Sequence, residues 1–450
     1  MKAQEFIQKV KNQEIDIIEH THKVLDEAKK INKGYNYFNI ISEDLALEQA
    51  KNISKNPKGK LAGLPISIKD CICVKNVEST AGSKILKDYK PVFNATVVQN
   101  LINEGAIIIG KTSQDEFGFG SFSVNVGLDK KIPKNPFDIT RVTGGSSGGS
   151  AGYTSITKYP HISIAESTGG SIVNPASFCG VTGLCPTYGL VSRYGLIDYS
   201  NSLDKIGPIS KYIHDIELVL PIMAQHDPKD STSLKEKLNQ DSKTKKIAVI
   251  KETLNVEEKI KDLVLDKLDD YDTISLPLVE KYSLACYYLI AMSESSTNLA
   301  KYCGIRYGLQ KELKGSFDEY FTSVRSSGFS KEAKRRIILG TFARMAGFRD
   351  AYYLKAMKIR TLIINEYKKA FKKYDLLVSP TMPIIAPKFT EIKKLTPLQN
   401  YMIDILTVGP NLTGLPHITN NIGLVNKMPA GIMYIADHLN ENKLIEINKK

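Results

Sequence analysis

What bounds this chain most tightly is the order of its apolar runs: short β-forming stretches recur, with helical patterns standing between them. LPISIKD (64–70) alternates apolar and polar residues, AIII (106–109) is apolar throughout, and HISIAE (161–166) and IAVI (247–250) are built alike. Such runs are strand material. Between the first two, ATVVQNLINEG (95–105) places apolar residues at helical spacing and stops at Gly105. Longer helical patterns cover 281–303, 331–347 and 350–373, ahead of a strand at 375–378. The first 57 residues read as helices, from IIEHTHKVLDEAKKI and DLALEQAKNI. HDPKDSTSLKEKLNQDSKTKK (226–246) is a polar linker or surface excursion. Strands alternating with helices predict an α/β architecture.

Composition narrows the function classes. With 450 residues, 42% hydrophobic and 24% charged, the chain can bury a large core, which excludes a disordered protein. Its apolar stretches fall far short of the roughly 18–20 residues that span a bilayer. MKAQEFIQKVKNQ at the start has no apolar core behind its basic residues, so no secretory leader is expected and the cytoplasm is the expected location. The 61 basic and 48 acidic residues give a net charge of +13. That suits an acidic partner such as RNA. The excess is spread through lysine-rich pieces (243–251, 368–373, Lys449 and Lys450), which equally serves solubility. Six scattered cysteines include no Cys-x-x-Cys pair and read as free thiols. His20 and His22, two apart on a helix, diverge, so no metal site is expected.

Three strings invite a catalytic reading. GAIIIGKT (105–112) has the spacing of a phosphate-binding loop, but its four intervening residues are a strand rather than a loop whose amides face phosphate. TGGSSGGSAG (143–152) holds G-x-S-x-G several times over; the segment entering it, KNPFDITR, carries a proline and alternates poorly, which argues against a strand-fed nucleophile elbow. STGGSI (167–172) follows the strand-like ISIA. Consecutive glycines there leave backbone N–H groups unshielded, as an oxyanion hole requires, and Ser171 closes the curl where a nucleophile would sit. Without further support this is an ordinary strand-end turn. A serine needs a base, and Lys69, just after Ile66 and Ile68, becomes one if drawn into a dry site; otherwise it is a surface lysine at a strand end.

Taken together, GLPISIKD (63–70), GGSSGGSAG (144–152) and STGGSIVNPASFCGVTGLCPTYGLVSRYGL (167–196) resemble the amidase signature family. VSRYGLIDYSNSLDKIGP (191–208), HDPKDSTS (226–233), KRRIILGTF (334–342) and KIRTLI (358–363) extend the resemblance to that family's glutaminase subunits of tRNA-dependent amidotransferases. The resemblance implies a single amidase domain over 1–450, with a central mixed, twisted β-sheet covered by helices on both faces. It implies a Ser–cis-Ser–Lys triad in which Ser171 is the nucleophile, Ser146 the bridging serine on a cis peptide and Lys69 the base. Amides of Thr168, Gly169, Gly170 and Ser171 would hold the oxyanion. Arg336 and Asp404 would bind the α-carboxylate and α-amino groups of glutamine, with Tyr287 a further contact. A helix-surface charge is the competing account of both Arg336 and Asp404. Ammonia would pass to partner B and C subunits that amidate mischarged Asp-tRNA(Asn), Glu-tRNA(Gln) or both, with ATP and magnesium at the partner and no cofactor on this chain.

This sequence departs from the family's pattern at three places. Ser146 and Ser171 stand 25 residues apart, one more than usual, which leaves Ser147 a rival for the bridging role. The family usually has Asp at the place of Ser167 and Arg at the place of Val173. Losing both deletes one ion pair, which is nearly neutral if the pair is structural. If it orients the triad, activity suffers. A stand-alone amidase for small or aryl amides, or an inactive scaffold, are the alternatives.

Overall fold

A computed structural model describes residues 1–449; Lys450 lies outside the described residues. Eleven strands form one sheet: β1 (Phe38–Ile41), β2 (Pro65–Lys69), β3 (Ile107–Thr112), β4 (Ile162–Ser167), β5 (Thr182–Cys185), β6 (Lys205–Ser210), β7 (Ile247–Ile250), β8 (Asp272–Ile274), β9 (Leu376–Pro380), β10 (His417–Val425) and β11 (Met428–Ala436). Their spatial order is β1-β3-β2-β4-β6-β5-β10-β11-β9-β7-β8. β2 pairs in parallel with both β3 and β4, β7 with both β8 and β9, and the remaining pairs are antiparallel. Every residue of β2, β3, β4, β6, β9 and β11 is buried. Successive side chains point to opposite faces, so both faces of the sheet are covered.

The apolar runs became strands as expected. GAIIIGKT is strand β3 from Ile107 onward, entered from helix Thr96–Asn103 through Gly105 at φ +88°. The N-terminal 57 residues supply helices Ala3–Lys11, Ile17–Tyr35 and Glu43–Lys55, but also edge strand β1, which the helical reading passed over. Asp16 caps the second helix, accepting from the amides of Ile18 (2.9 Å) and Glu19 (3.1 Å). Residues 226–246 hold no helix or strand, yet the excursion is tied down. Asp227 accepts from Thr96 Oγ1 (2.5 Å) and Ser192 Oγ (2.6 Å), Asp230 pairs with Arg193 (3.3 Å), and Asp375 accepts from the amides of Lys245 and Lys246. Among the described residues no helix is long and apolar enough to cross a membrane.

The topology fixes the place where chemistry can gather. β2 and β4 run side by side in parallel, with Ile68 opposite Ile164. Their carboxyl ends therefore carry Lys69 and the 166–172 segment to the same edge, where parallel strands habitually present ligand sites.

Candidate active site

Lys69 lies fully buried at the end of β2. Its Nζ donates to Ser146 Oγ (2.8 Å), to the carbonyl oxygen of Glu166 (2.9 Å) and to Glu166 Oε2 (2.8 Å). Ser146 and not Ser147 is the serine Lys69 reaches; Ser147 Oγ donates instead to the Glu166 carbonyl at 3.2 Å. The Gly145–Ser146 peptide is cis. Gly145 permits a close approach: a Cβ there would meet Asp115 Oδ2 at 2.3 Å and the Ser123 amide at 2.7 Å. Asp115 organises that loop by accepting from the amides of Ser123 (2.9 Å) and Asn125 (2.8 Å). Burial pushes its carboxyl up to about 7.

Ser171 heads the turn from β4 into helix Val173–Phe178 and is 7% exposed. Its hydroxyl makes no hydrogen bond among the described residues, so Lys69 and Ser146 are joined while Ser171 stands apart from them by hydrogen bonding. The N–H groups of Thr168, Gly169 and Ser171 are likewise uncommitted among the described residues. Gly170 departs from the expected oxyanion set, because its N–H is held by Ser167 Oγ at 3.1 Å. Ser167 also donates to Asn411 Oδ1 (3.3 Å), so a hydroxyl ties down the loop where the family usually has a carboxylate. Val173 is fully buried in the core. Thr407 Oγ1 donates to the Gly169 carbonyl (2.8 Å) and packs where a Cβ on Gly170 would be.

The proposed glutamine contacts come together on the other side of the loop. Tyr287 lies against Gly169, where a Cβ would sit 2.5 Å from the phenol oxygen. Arg336 is no solvated helix charge: it is 2% exposed and ringed by Phe119, Tyr199, Tyr288 and Tyr401, each centroid 5.0–5.6 Å from the guanidinium carbon. Its Nε donates to Glu332 (2.9 Å) and Nη1 to the Tyr199 hydroxyl, while Nη2 is free among the described residues. Asp404 Oδ2 accepts from Ser121 (2.6 Å) and Tyr288 (2.7 Å), and Oδ1 is free on the same terms. Burial pushes Asp404 up to about 6, against the pull of its two donors and of Arg336. A cavity of about 520 Å³ opens beside Arg336, Glu332, Ser121 and Tyr401. One open guanidinium arm and one open carboxylate oxygen suit the two charged ends of an α-amino acid.

Sequence reasoning missed Glu166, Ser121, Tyr199, Tyr288, Glu332 and Thr407. Of these only Glu166 carried a legible signal: an acid at the end of an otherwise apolar run must find a partner if that run is buried.

The sequence pattern of the amidase family matches residues 19–445. The A subunit of the glutamyl-tRNA(Gln) amidotransferase of Thermoanaerobacter pseudethanolicus is 42% identical over 461 residues, covering 97% of this chain and 93% of the relative. Its namesake from Archaeoglobus fulgidus is 42% identical over 457 residues, covering 100% and 98%. The crystal structure of the corresponding Thermotoga maritima protein, again the A subunit of a glutamyl-tRNA(Gln) amidotransferase, aligns with a TM-score of 0.81 at 32% identity, over 100% of this chain and 93% of that one. A bacterial aryl acylamidase of the amidase signature group matches the fold equally well, with a TM-score of 0.82 at 21% identity over 100% and 95%. Backbone shape therefore does not separate these activities, whereas sequence identity does. With the pattern running through nearly the whole chain and relatives at 42% identity aligned end to end, the chain belongs to the amidase family.

Proposed function

We propose that this chain is the glutamine-hydrolysing component of a tRNA-dependent amidotransferase. The observation that carries the reading is the buried Lys69–Ser146 hydrogen bond at the cis Gly145–Ser146 peptide, together with the open arm of Arg336 and the open oxygen of Asp404 gathered around Tyr288. In this reading neutral Lys69 takes a proton through Ser146 from Ser171, and Ser171 attacks the side-chain amide of glutamine. The N–H groups of Thr168, Gly169 and Ser171 meet the developing oxyanion. Gly170 contributes its freedom at φ +153° rather than its amide. Ammonia leaves, and water releases glutamate from the acyl-enzyme. Arg336 and Asp404 hold the α-carboxylate and α-ammonium, and Tyr287 closes the pocket against the Gly169 backbone.

The relatives are subunits of glutamyl-tRNA(Gln) amidotransferases, which supports a partner assembly for this chain too. B and C subunits would use the ammonia on mischarged Glu-tRNA(Gln), Asp-tRNA(Asn) or both, with ATP and magnesium at the partner and the tRNA held mainly there. A cytoplasmic location follows from that role. The test is ammonia release from glutamine by the chain with its co-purifying partners, with simple and aryl amides as competitors. Glutamine-selective release that stops in Ser171→Ala supports the reading. Turnover of simple amides by the lone chain would replace it with a stand-alone amidase, and no release with partners present with an inactive scaffold.

A further inference from the structure

An ammonium has three N–H bonds, and Lys69 has three acceptors at hydrogen-bonding distance: Ser146 Oγ, the Glu166 carbonyl and Glu166 Oε2. In that arrangement every proton of the charged form is used and no lone pair faces Ser146. Ser146 accepts from Lys69 and so cannot at the same moment pass it a proton. Both partners of the Lys69–Glu166 pair are shielded from water, with side chains 0% and 4% exposed. The backbone of Gly118 roofs the pair: at φ +81°, a Cβ there would stand 3.5 Å from Ser146 Oγ and 3.7 Å from Glu166 Oε2.

The far side of Glu166 shows which carboxylate keeps the charge. Thr168 Oγ1 lies 2.7 Å from Glu166 Oε1 and 2.8 Å from Asp204 Oδ1. One hydroxyl has one proton, so it donates to one carboxyl and accepts a proton from the other. Burial and the neighbouring Glu166 push the Asp204 carboxyl well above the usual range, outweighing the Tyr199 and Ser200 amides it accepts from, so Asp204 is the one to hold that extra proton. The line then reads Asp204 (neutral), Thr168, Glu166 (charged), Lys69 (charged), Ser146. Of the other titratable groups facing Lys69, Asp115 adds a second counter-charge as pH rises through its raised value, but it makes no hydrogen bond to Lys69 among the described residues. Asp115, from the 113–118 segment, is committed to two amides and pushed up to about 7, burial keeps the Cys71 thiol neutral, and Lys111 lies beyond, against Asp70.

We propose that Glu166 is a positioning residue that locks Lys69 in its ammonium form at rest, so that loss of one proton from the Lys69–Glu166 pair to water is what arms Ser171. This rests on the assignment of Lys69 as the base. Once Lys69 is neutral, the Ser171 proton moves to Ser146 Oγ as the Ser146 proton moves to the Lys69 lone pair. The same Glu166 carboxylate then stabilises the ammonium so formed, until Lys69 returns that proton through Ser146 to the departing nitrogen. The family usually has its acid one residue later. The register sets Lys69 level with Ala165, on the face it shares with Ser167; Glu166 alternates to the other face and reaches Lys69 around the carboxyl ends of the two strands.

The test reads nucleophile activation without glutamine. Sulfonylation of Ser171 by phenylmethanesulfonyl fluoride is followed by intact mass against pH in the wild type, with Ser171→Ala as the blank, and ammonia release is measured on the same preparations. Glu166→Gln keeps the shape and removes the charge. It should move the acid limb of the labelling profile to lower pH by about one unit or more, so that below the wild-type limb the variant labels about tenfold faster. Thr168→Val removes only the hydroxyl that supports the Glu166 charge and should move the limb the same way by a smaller step. It answers the question should Glu166→Gln fail a thermal-melt check of folding. A limb that stays in place or rises in the folded variants overturns the proposal, as does wild-type labelling without an acid limb. A limb set by Glu166 with no ammonia from glutamine would sink the glutaminase reading and leave this one standing; ammonia release indifferent to Glu166→Gln does the reverse.

Discussion

Two buried lysines flank the dipeptide that ends β4; by register they share a face of the sheet, and they differ in their partners. Lys69 meets Glu166 at the carboxyl ends of β2 and β4. Lys205 is the direct cross-strand neighbour of Ser167 and shares its face. Lys69 has a carboxylate and a serine hydroxyl as partners. The Lys205 Nζ donates to the Leu415 carbonyl at 2.9 Å, and among the described residues no carboxylate lies within salt-bridge distance. Burial pushes Lys205 down, and Lys205 in turn adds to the burial that holds neighbouring His417 well below its usual range. A third buried lysine, Lys111, spends its protons on the carbonyls of Asp70 (3.1 Å) and Ile72 (2.6 Å) and on Ser79 Oγ (2.8 Å). Being dry does not make a lysine a base. What distinguishes Lys69 is a hydroxyl partner on the cis Gly145–Ser146 peptide together with a carboxylate at 2.8 Å, whereas Lys205 ends in a carbonyl and Lys111 in two carbonyls and Ser79.

The sharpest way to break this contrast is to remove the reacting groups and the ammonium groups one at a time. Ser171→Ala should lower glutamine hydrolysis by about 10⁴-fold or more. Lys69→Met should lower it by about 10³-fold, as loss of a general base does. Lys205→Met should stay within about threefold of wild type, although it removes an equally buried ammonium. Ammonia release by the three variants settles the matter; a Lys205→Met loss comparable to that of Lys69→Met would mean that the two lysines are not independent.

The proposed glutamine contacts should respond more gently and through KM. Asp404→Asn removes the charge meant for the α-ammonium, and Arg336→Lys removes the planar fork meant for the α-carboxylate. A charge-assisted hydrogen bond is worth about 1.5–3 kcal/mol, so each change should raise KM for glutamine roughly tenfold to a hundredfold. Asp404 adds a pH signature. Its carboxyl is raised to about 6, so it is ionised above that value and loses its charge as the pH falls through it. KM should therefore rise below about pH 6 in the wild type and be flat there in Asp404→Asn. A KM that climbs equally in both would remove Asp404 from substrate binding.

The sheet's centre was legible in the sequence because its strands are continuous buried runs: Ile66 and Ile68, Ile107 to Ile109, Ile162 and Ile164. Its margins were not. β1 and β8 are edge strands of four and three residues, and DTI in β8 is largely exposed, so no apolar pattern marks it. The β10–β11 hairpin went unread because a register shift between Asn421 and Gly423 breaks its alternation and β11 opens with a proline one residue in. At the site, motif resemblance reached the residues that lie in short contiguous strings, Lys69, Ser146 and the 168–171 loop. It could not reach contacts made by pairing. Glu166 and Lys69 are 97 residues apart and meet only because β2 and β4 are neighbours. Tyr288 and Ser121 meet Asp404 across 116 and 283 residues, and no spacing along the chain announces either.

The smallest expected effect comes from the second residue of the dipeptide that ends β4. Ser167→Asp restores the acid that the family usually carries and sets it beside Lys205. The new carboxylate can still accept from the Gly170 amide, so the loop keeps its tether. It can no longer donate to Asn411 Oδ1, and turning the Asn411 amide to compensate would disturb its contacts with the Thr407 carbonyl and His417. Ion pairing in a dry site is set against desolvation, so the net gain should be small, about 1 kcal/mol of coupling in a double-mutant cycle with Lys205→Met. The sign with pH is fixed: a carboxylate held down by a cation contributes above its unfolded value and loses that contribution as pH falls through its folded value. Thermal melts should show Ser167→Asp stabilised relative to wild type near neutral pH, with the gain lost in acid and absent when Lys205 is Met. A gain that survives Lys205→Met would mean that the acid serves the Gly170 amide instead, and that the family's pair is a device for holding the loop rather than for balancing charge.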